Sequence, residues 1–164
     1  MTDLVERIEA RARTLGLESV RTAVWGRLAL VVRRSDFKVR WFLTRMHTFV
    51  VVSEFEVVPS AAELGGLLGA ACQYAIDHKG GLPRGLQTGS AAIGVAVVPS
   101  SAPDLEAWAR KPRARWAAMS FPVLVAADSR TVVHPRRMII GGVYSGHFKR
   151  VTRDLVIESV NAGV

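Results

Sequence analysis

The sequence has one cysteine, no long apolar run and no strong catalytic motif, and each of these shortages excludes a class of protein. Because Cys72 is the only cysteine, no disulfide can form within the chain, and a reducing compartment is expected. The longest apolar stretches, 91–99 and 121–127, are too short to cross a bilayer. The opening "MTDLVERIEARARTLG" interleaves acids and bases and lacks the apolar centre of a secretory signal. We therefore expect a cytoplasmic protein with no membrane partner.

The missing motifs are those of nucleotide-binding, metal and hydrolase sites. The chain has no Walker A sequence, no Gly-x-Gly-x-x-Gly, no His-Glu-x-x-His and no Gly-x-Ser-x-Gly. The four histidines are scattered, and no two have the spacing of metal ligands: His47, His78, His134 and His147. The sequence therefore predicts no cofactor and no metal, and it favours a binding protein over an enzyme.

Length and composition are those of one folded domain. The chain has 164 residues, 49% of them hydrophobic and 22% charged, which is enough to bury a core without a disulfide or metal. We predict a single α+β domain over 1–164, with no linker or tail and a largely antiparallel mixed sheet packed by helices. The predicted order is α-β-β-β-α-β-α-β-β-β-α: a helix over 3–15, three strands between 20 and 57, a helix opened by Ser60, a buried strand at 91–99, a short helix after Pro103, a hairpin of 121–127 and 131–134, a strand at 138–140 and a closing helix over 145–160.

Local signals fix some details of this order. Arg34-Ser35-Asp36 reads as a turn between two strands. Ser60 and Glu63 have the spacing of a capping box, and Cys72 is expected to be buried as a small apolar residue. The opening order is similar to the core of restriction-endonuclease-like nucleases, but Glu54-Phe55-Glu56 has no lysine two residues on, as their metal site would require.

The positive charge is concentrated in one segment. The chain has 22 lysines and arginines against 14 acidic residues, and between 110 and 153 ten cations meet a single acid, Asp128, for a net charge of +9. A field of one sign attracts anions, and "ARKPRARW" places a tryptophan among its cations. We predict a basic patch of Arg110, Lys111, Arg113, Arg115, Arg136, Arg137 and Arg153.

Two glycine-rich loops are candidates for binding an anion. "HKGGLPRGLQTGS" (78–90) follows a helix, whose C-terminal end presents carbonyls, so its glycines best explain a helix end. Arg84 is its one side chain with a possible specific role. "GGVYSGH" (141–147) precedes a helix, and the N–H groups of such a helix start attract anions. Cations soon after it would oppose the helix dipole unless an anion is bound. We predict anion binding by Gly141, Gly142, Ser145, Gly146, His147, Lys149 and Arg150, with the alternative that Arg150 simply pairs with Asp154.

Three functions remain open at this point. The first is a small basic protein that binds an anionic macromolecule, RNA, DNA or a ribonucleoprotein surface, without catalysis. The second is an enzyme or sensor for a small phosphorylated or carboxylated ligand at the 141–146 loop, with His147 as a candidate acid or base. The third is a scaffold subunit that binds another protein or forms a homo-oligomer.

Overall fold

The computed structural model describes residues 2–37, 45–78, 80, 88–111, 119–138 and 142–163. These residues form six strands and four helices in an order that matches the sequence prediction, apart from the strand predicted at 138–140. The elements are α1 (Thr2–Thr14), β1 (Glu18–Val24), β2 (Arg27–Phe37), β3 (Arg45–Glu54), α2 (Ala61–His78), β4 (Thr88–Val98), α3 (Pro103–Arg110), β5 (Met119–Ala126), β6 (Thr131–Val133) and α4 (Gly142–Thr152), which continues as a π-helical turn (Arg153–Ile157) and a last α-helical turn (Glu158–Asn161).

The strands form one mixed sheet in chain order, β1 to β6. Antiparallel pairing joins β1 to β2, β2 to β3 and β5 to β6, whereas β4 is parallel to both β3 and β5. The two parallel pairs require crossover connections, which α2 and α3 supply. The α+β fold with a largely antiparallel mixed sheet is thereby confirmed.

Helices cover the two faces of the sheet in pairs. On the first face, α1 and α4 bury Ile8, Phe148 and Leu155 against the even-numbered residues of β2 and β3, such as Val32 and Val50. On the second face, α2 and α3 bury residues such as Leu64, Ala71 and Leu105 against the opposite side of the strands. The strands in the middle of the sheet therefore read as continuous apolar runs, because both of their faces are buried.

The close packing of α2 on the sheet depends on a glycine in β4. A Cβ on Gly94 of β4 would lie 2.9 Å from Leu68 Cδ1, so the glycine lets α2 lie close to the sheet.

Pro122 has no N–H to donate, yet it lies within β5. Among the described residues, β6 pairs with 124–126 of β5, so Pro122 lies beyond the part of β5 that β6 contacts.

The predicted turn at Arg34-Ser35-Asp36 is wrong, because β2 continues through these residues to Phe37. They pair with Thr48, His47 and Met46 of β3. Side-chain bonds hold them in the strand: Arg34 Nε donates to Asp36 Oδ2 at 2.8 Å, and Ser35 Oγ lies 2.9 Å from His47 Nδ1. A connection between β2 and β3 therefore falls within 38–44, outside the described residues.

The first hairpin instead turns at Trp25 and Gly26. Both residues have positive φ, 55° and 68°, as the two central residues of a type I′ turn require. Their left-handed backbone closes the turn between Val24 and Arg27, which are paired.

One helix start agrees with the sequence prediction and another differs from it. The capping box is confirmed: Ser60 Oγ accepts from the Glu63 N–H at 3.2 Å, and Glu63 Oε2 accepts from the Ser60 N–H at 2.8 Å. The closing helix begins at Gly142, three residues earlier than predicted. Of the strand predicted at 138–140, Met138 is irregular and the other two residues lie outside the described part.

Candidate basic cleft

An open cleft on the outer side of α4 collects basic residues from two parts of the chain. Its volume is about 410 Å³. One wall is the exposed side of α4 and its π-helical continuation, and the other is the segment that follows β6. The described lining residues are His134, Arg136, Gly146, Lys149, Arg150, Arg153 and Ile157.

The periodicity of α4 explains why its cations point outward. Phe148, Val151 and Leu155 recur at helical spacing and are each fully buried against the sheet. Lys149 and Arg150 therefore lie on the opposite, exposed side, and Arg153 follows them at the start of the π-helical turn. Lys149 and Arg153 are four residues apart, so like charges lie next to each other on one helix face, which destabilises an isolated helix slightly.

Few carboxylates neutralise the cleft. No acidic residue is among its described lining residues, and no described acid forms an ion pair with Arg136, Lys149 or Arg150. Asp154 contacts Arg153 at 3.1 Å and Arg34 at 4.0 Å. The alternative pairing of Arg150 with Asp154 is thus not formed in the described residues.

Gly146 lines the cleft on the same helix as Lys149 and Arg150. It is exposed on the outer side of α4, three and four residues before Lys149 and Arg150, and a Cβ built on it would meet nothing within 4 Å. A larger side chain at this position would therefore point into open space between the cations. The predicted residues Gly146, Lys149, Arg150, Arg136 and Arg153 all line this one cleft.

The start of α4 does not bear out the dipole argument made from sequence. Because the helix begins at Gly142, Lys149 and Arg150 lie in the last turn of its α-helical part and not beside its first N–H groups. Ser145 lies within the first turn, where its Oγ accepts a hydrogen bond from the Met138 N–H at 3.3 Å. Gly141 lies outside the described residues.

His147 faces the sheet and not the cleft. Its side chain is 1% exposed, and its Nε2 lies 2.9 Å from the Oγ1 of Thr48, which is itself fully buried on β3. Its Nδ1 lies 3.9 Å from Asp36 Oδ2. The sequence missed this network because it placed a turn at Arg34–Asp36, and the contacts of His147 join α4 to the sheet.

Two residues of the predicted basic patch lie apart from the cleft. Arg110 and Lys111 lie at the end of α3, which packs on the second face of the sheet, and Arg110 pairs with Glu106 at 2.6 Å. Arg137 is exposed beside Arg136. The other predicted members, Arg113 and Arg115, lie outside the described residues, as does Arg84 of the first glycine-rich loop.

Two lining residues of the cleft were not predicted from the sequence: His134, which follows β6, and Ile157, in the π-helical turn. His134 and Ile157 have no periodic or compositional signal that would join them to the cations of α4. The one hint was the dense run of basic residues between 110 and 153, which pointed to the region but not to which cations converge.

Within the described residues, no three His, Cys, Asp or Glu side chains are grouped so that they could hold a metal ion. No helix in the described part is both long and apolar enough to cross a membrane. Comparisons of the chain with models of known families, with curated proteins and with solved structures found no match.

Proposed function

We propose that this protein binds the phosphate backbone of a nucleic acid in the basic cleft on α4, without catalysis. The observation that carries the proposal is the convergence of Arg136, Lys149, Arg150 and Arg153 around one open cleft with no acid among its described lining residues. Cations that neutralise phosphates release condensed counterions, and this release drives sequence-independent binding.

The form of the cleft favours a polyanion over a small ligand. A small anion is usually held in a largely closed pocket by a few converging polar groups. Here the cations of α4 lie along an exposed helix face and Arg136 lies across an open cleft from them. An extended backbone can place successive phosphates along such a face, and it would also offset the repulsion between neighbouring cations.

The absence of catalysis is part of the proposal, and the placement of His147 supports it. A general acid or base must reach the proton that it transfers, directly or through one water. His147 is buried and bonded to Thr48, so it does not line the cleft. No described lining residue of the cleft is a carboxylate, and the histidine that does line it, His134, has its Nδ1 3.1 Å from the Pro135 carbonyl oxygen.

A charge placed at Gly146 tests the proposal with a matched control. Gly146→Glu and Gly146→Gln introduce side chains of nearly the same shape into the same open space, and only one is charged. We expect Gly146→Glu to weaken binding of a fluorescein-labelled single-stranded RNA at least about tenfold more than Gly146→Gln, since it opposes several phosphate contacts. Fluorescence anisotropy at low salt measures the difference. Equal affinities of two folded variants would refute the cleft as the binding site.

A further inference from the structure

A second concave site lies on the opposite face of the sheet, beside the edge strand β1. It is a groove of about 240 Å³ lined by Glu18, Ser19, Val20, Val31, Arg33, Phe49, Tyr74 and His78. Val20 is 50% exposed, whereas its cross-strand partner Val31 is 2% exposed. The C-terminal half of α2 therefore leaves the start of β1 uncovered, and the groove is the step between them.

The wall of the groove that α2 contributes is aromatic and flat. Tyr74 and His78 are one helical turn apart and stack with ring centroids 3.8 Å apart and planes 10° apart. Phe49 meets Tyr74 edge-on, with centroids 5.9 Å apart and an angle of 73°. His78 Nδ1 donates to the Tyr74 carbonyl at 3.0 Å, which fixes the ring. The stack covers one face of each ring, so a planar heterocycle would pack against an outer face of the stacked pair, next to β-branched side chains.

The rim carries a hydrogen-bond donor and an acceptor side by side. Arg33 Nη1 lies 3.7 Å from Glu18 Oε2, and the two side chains are 38% and 81% exposed. The guanidinium carbon of Arg33 also lies 5.9 Å from the ring centroid of Phe49. A carboxylate accepts paired N–H groups, and a guanidinium donates to neighbouring ring oxygen and nitrogen atoms.

The end of α2 favours an uncharged ligand part at this wall. His78 is the last residue of the helix, where unsatisfied carbonyls carry partial negative charge and disfavour a phosphate. N–H donors are favoured there instead. A base is consistent with this field, and the groove is smaller than the pockets that hold drug-sized molecules, so it suits a single ring system.

From these observations we infer that the groove binds a guanine base. Guanine offers the O6 and N7 acceptors, which match the donors of Arg33. It also offers two adjacent donors, N1–H and the N2 amino group, which match the carboxylate of Glu18. Adenine has no pair of adjacent donors for the carboxylate. The base could belong to a free nucleoside or to an unpaired residue of a strand. The inference does not depend on the proposed function, because the groove and the basic cleft lie on opposite faces of the sheet.

Isothermal titration calorimetry with phosphate-free nucleosides tests the inference separately from the cleft. We expect guanosine to bind more tightly than adenosine or uridine. Tyr74→Leu should weaken guanosine binding roughly tenfold, since it removes a stacking face, and Tyr74→Phe should leave it within about twofold. Glu18→Gln, at an exposed position, should remove the preference for guanosine over adenosine. Equal binding of all three nucleosides, or no binding of guanosine by the folded parent, would overturn the inference.

Two further arms distinguish the source of the base. A single guanosine placed in an oligouridine RNA should raise affinity in a Tyr74-dependent manner if the ligand is an unpaired base of a strand. If the ligand is a free nucleoside, guanosine alone should bind, and the single guanosine should leave the affinity of the RNA equal to that of the all-uridine strand. Failure of Gly146→Glu to weaken RNA binding would contradict the proposed function and leave these nucleoside results unaffected.

Discussion

Replacing Thr48 by valine should weaken the attachment of α4 to the sheet. Thr48 Oγ1 and His147 Nε2 are 2.9 Å apart, although the two residues are separated by 99 positions in the sequence. Their side chains are 0% and 1% exposed. Valine keeps the shape and removes the hydroxyl. Depriving a buried polar atom of a partner costs about 1–3 kcal/mol, which corresponds to a fall in Tm of about 3–9 °C for a chain of this size.

A double-mutant cycle isolates this bond. Urea unfolding of Thr48→Val, His147→Leu and the double variant gives the coupling energy, which we expect to be about 1 kcal/mol or more. Thr48→Ser, which keeps the hydroxyl and loses a methyl group, is the control. If Thr48→Val destabilises equally in both backgrounds, the bond does not contribute. The folded variant should still bind RNA with the parent affinity, because neither residue lines the cleft.

Three other substitutions test the packing, the capping and one buried charge. Gly94→Ala should destabilise the protein by about 1 kcal/mol, the lower end of the cost of overpacking, because its Cβ would lie 2.9 Å from the terminal Cδ1 of Leu68, which must shift; an unchanged urea midpoint would contradict this cost. Ser60→Ala should cost about 0.5–2 kcal/mol through loss of the α2 cap. Hydrogen bonds from Ser60 lower the pKa of Glu63, so protonation of Glu63 weakens the cap as pH falls through its folded-state pKa. The cost of the substitution should therefore shrink in acid. Burial raises the pKa of Glu54, so stability is lost as pH rises through its folded-state pKa. Glu54→Gln should therefore raise the thermal midpoint at pH near 7. At a pH below the ordinary carboxyl pKa of about 4.3, the substitution should leave the midpoint no higher than that of the parent.

Local patterns predicted the helices well and the strand boundaries less well. The apolar spacing of Phe148, Val151 and Leu155 gave the inner face of α4, and the Ser60–Glu63 pair gave the start of α2. Arg34-Ser35-Asp36 has turn-forming composition, but its pairing with β3 overrides that preference. Because no local rule weighs a cross-strand bond such as Ser35 to His47, the turn was placed wrongly.

The residue types of the candidate site could be predicted from the sequence, but the way in which they converge in space could not. The run of cations after 110 indicated an anionic partner, yet only the fold separates Arg110 and Lys111 from the cleft. His147 belongs to the same motif as Lys149 and Arg150, but it lies on the side of the helix that faces the sheet and contacts Thr48. The guanine groove combines Glu18, Arg33 and Tyr74 from three elements, so no single stretch of sequence signals it.

The salt dependence of RNA binding tests the central claim most directly. With four phosphate contacts, a plot of log affinity against log salt for single-stranded RNA should have a slope of about −3. The variant Arg136→Gln/Lys149→Gln/Arg150→Gln should flatten it to about −1, since each contact contributes about 0.7. The control Arg13→Gln/Arg110→Gln/Lys111→Gln removes the same charge from exposed sites on α1 and α3 and should keep the parent slope. Absence of binding at low salt, or equal flattening by both variants, would contradict the account.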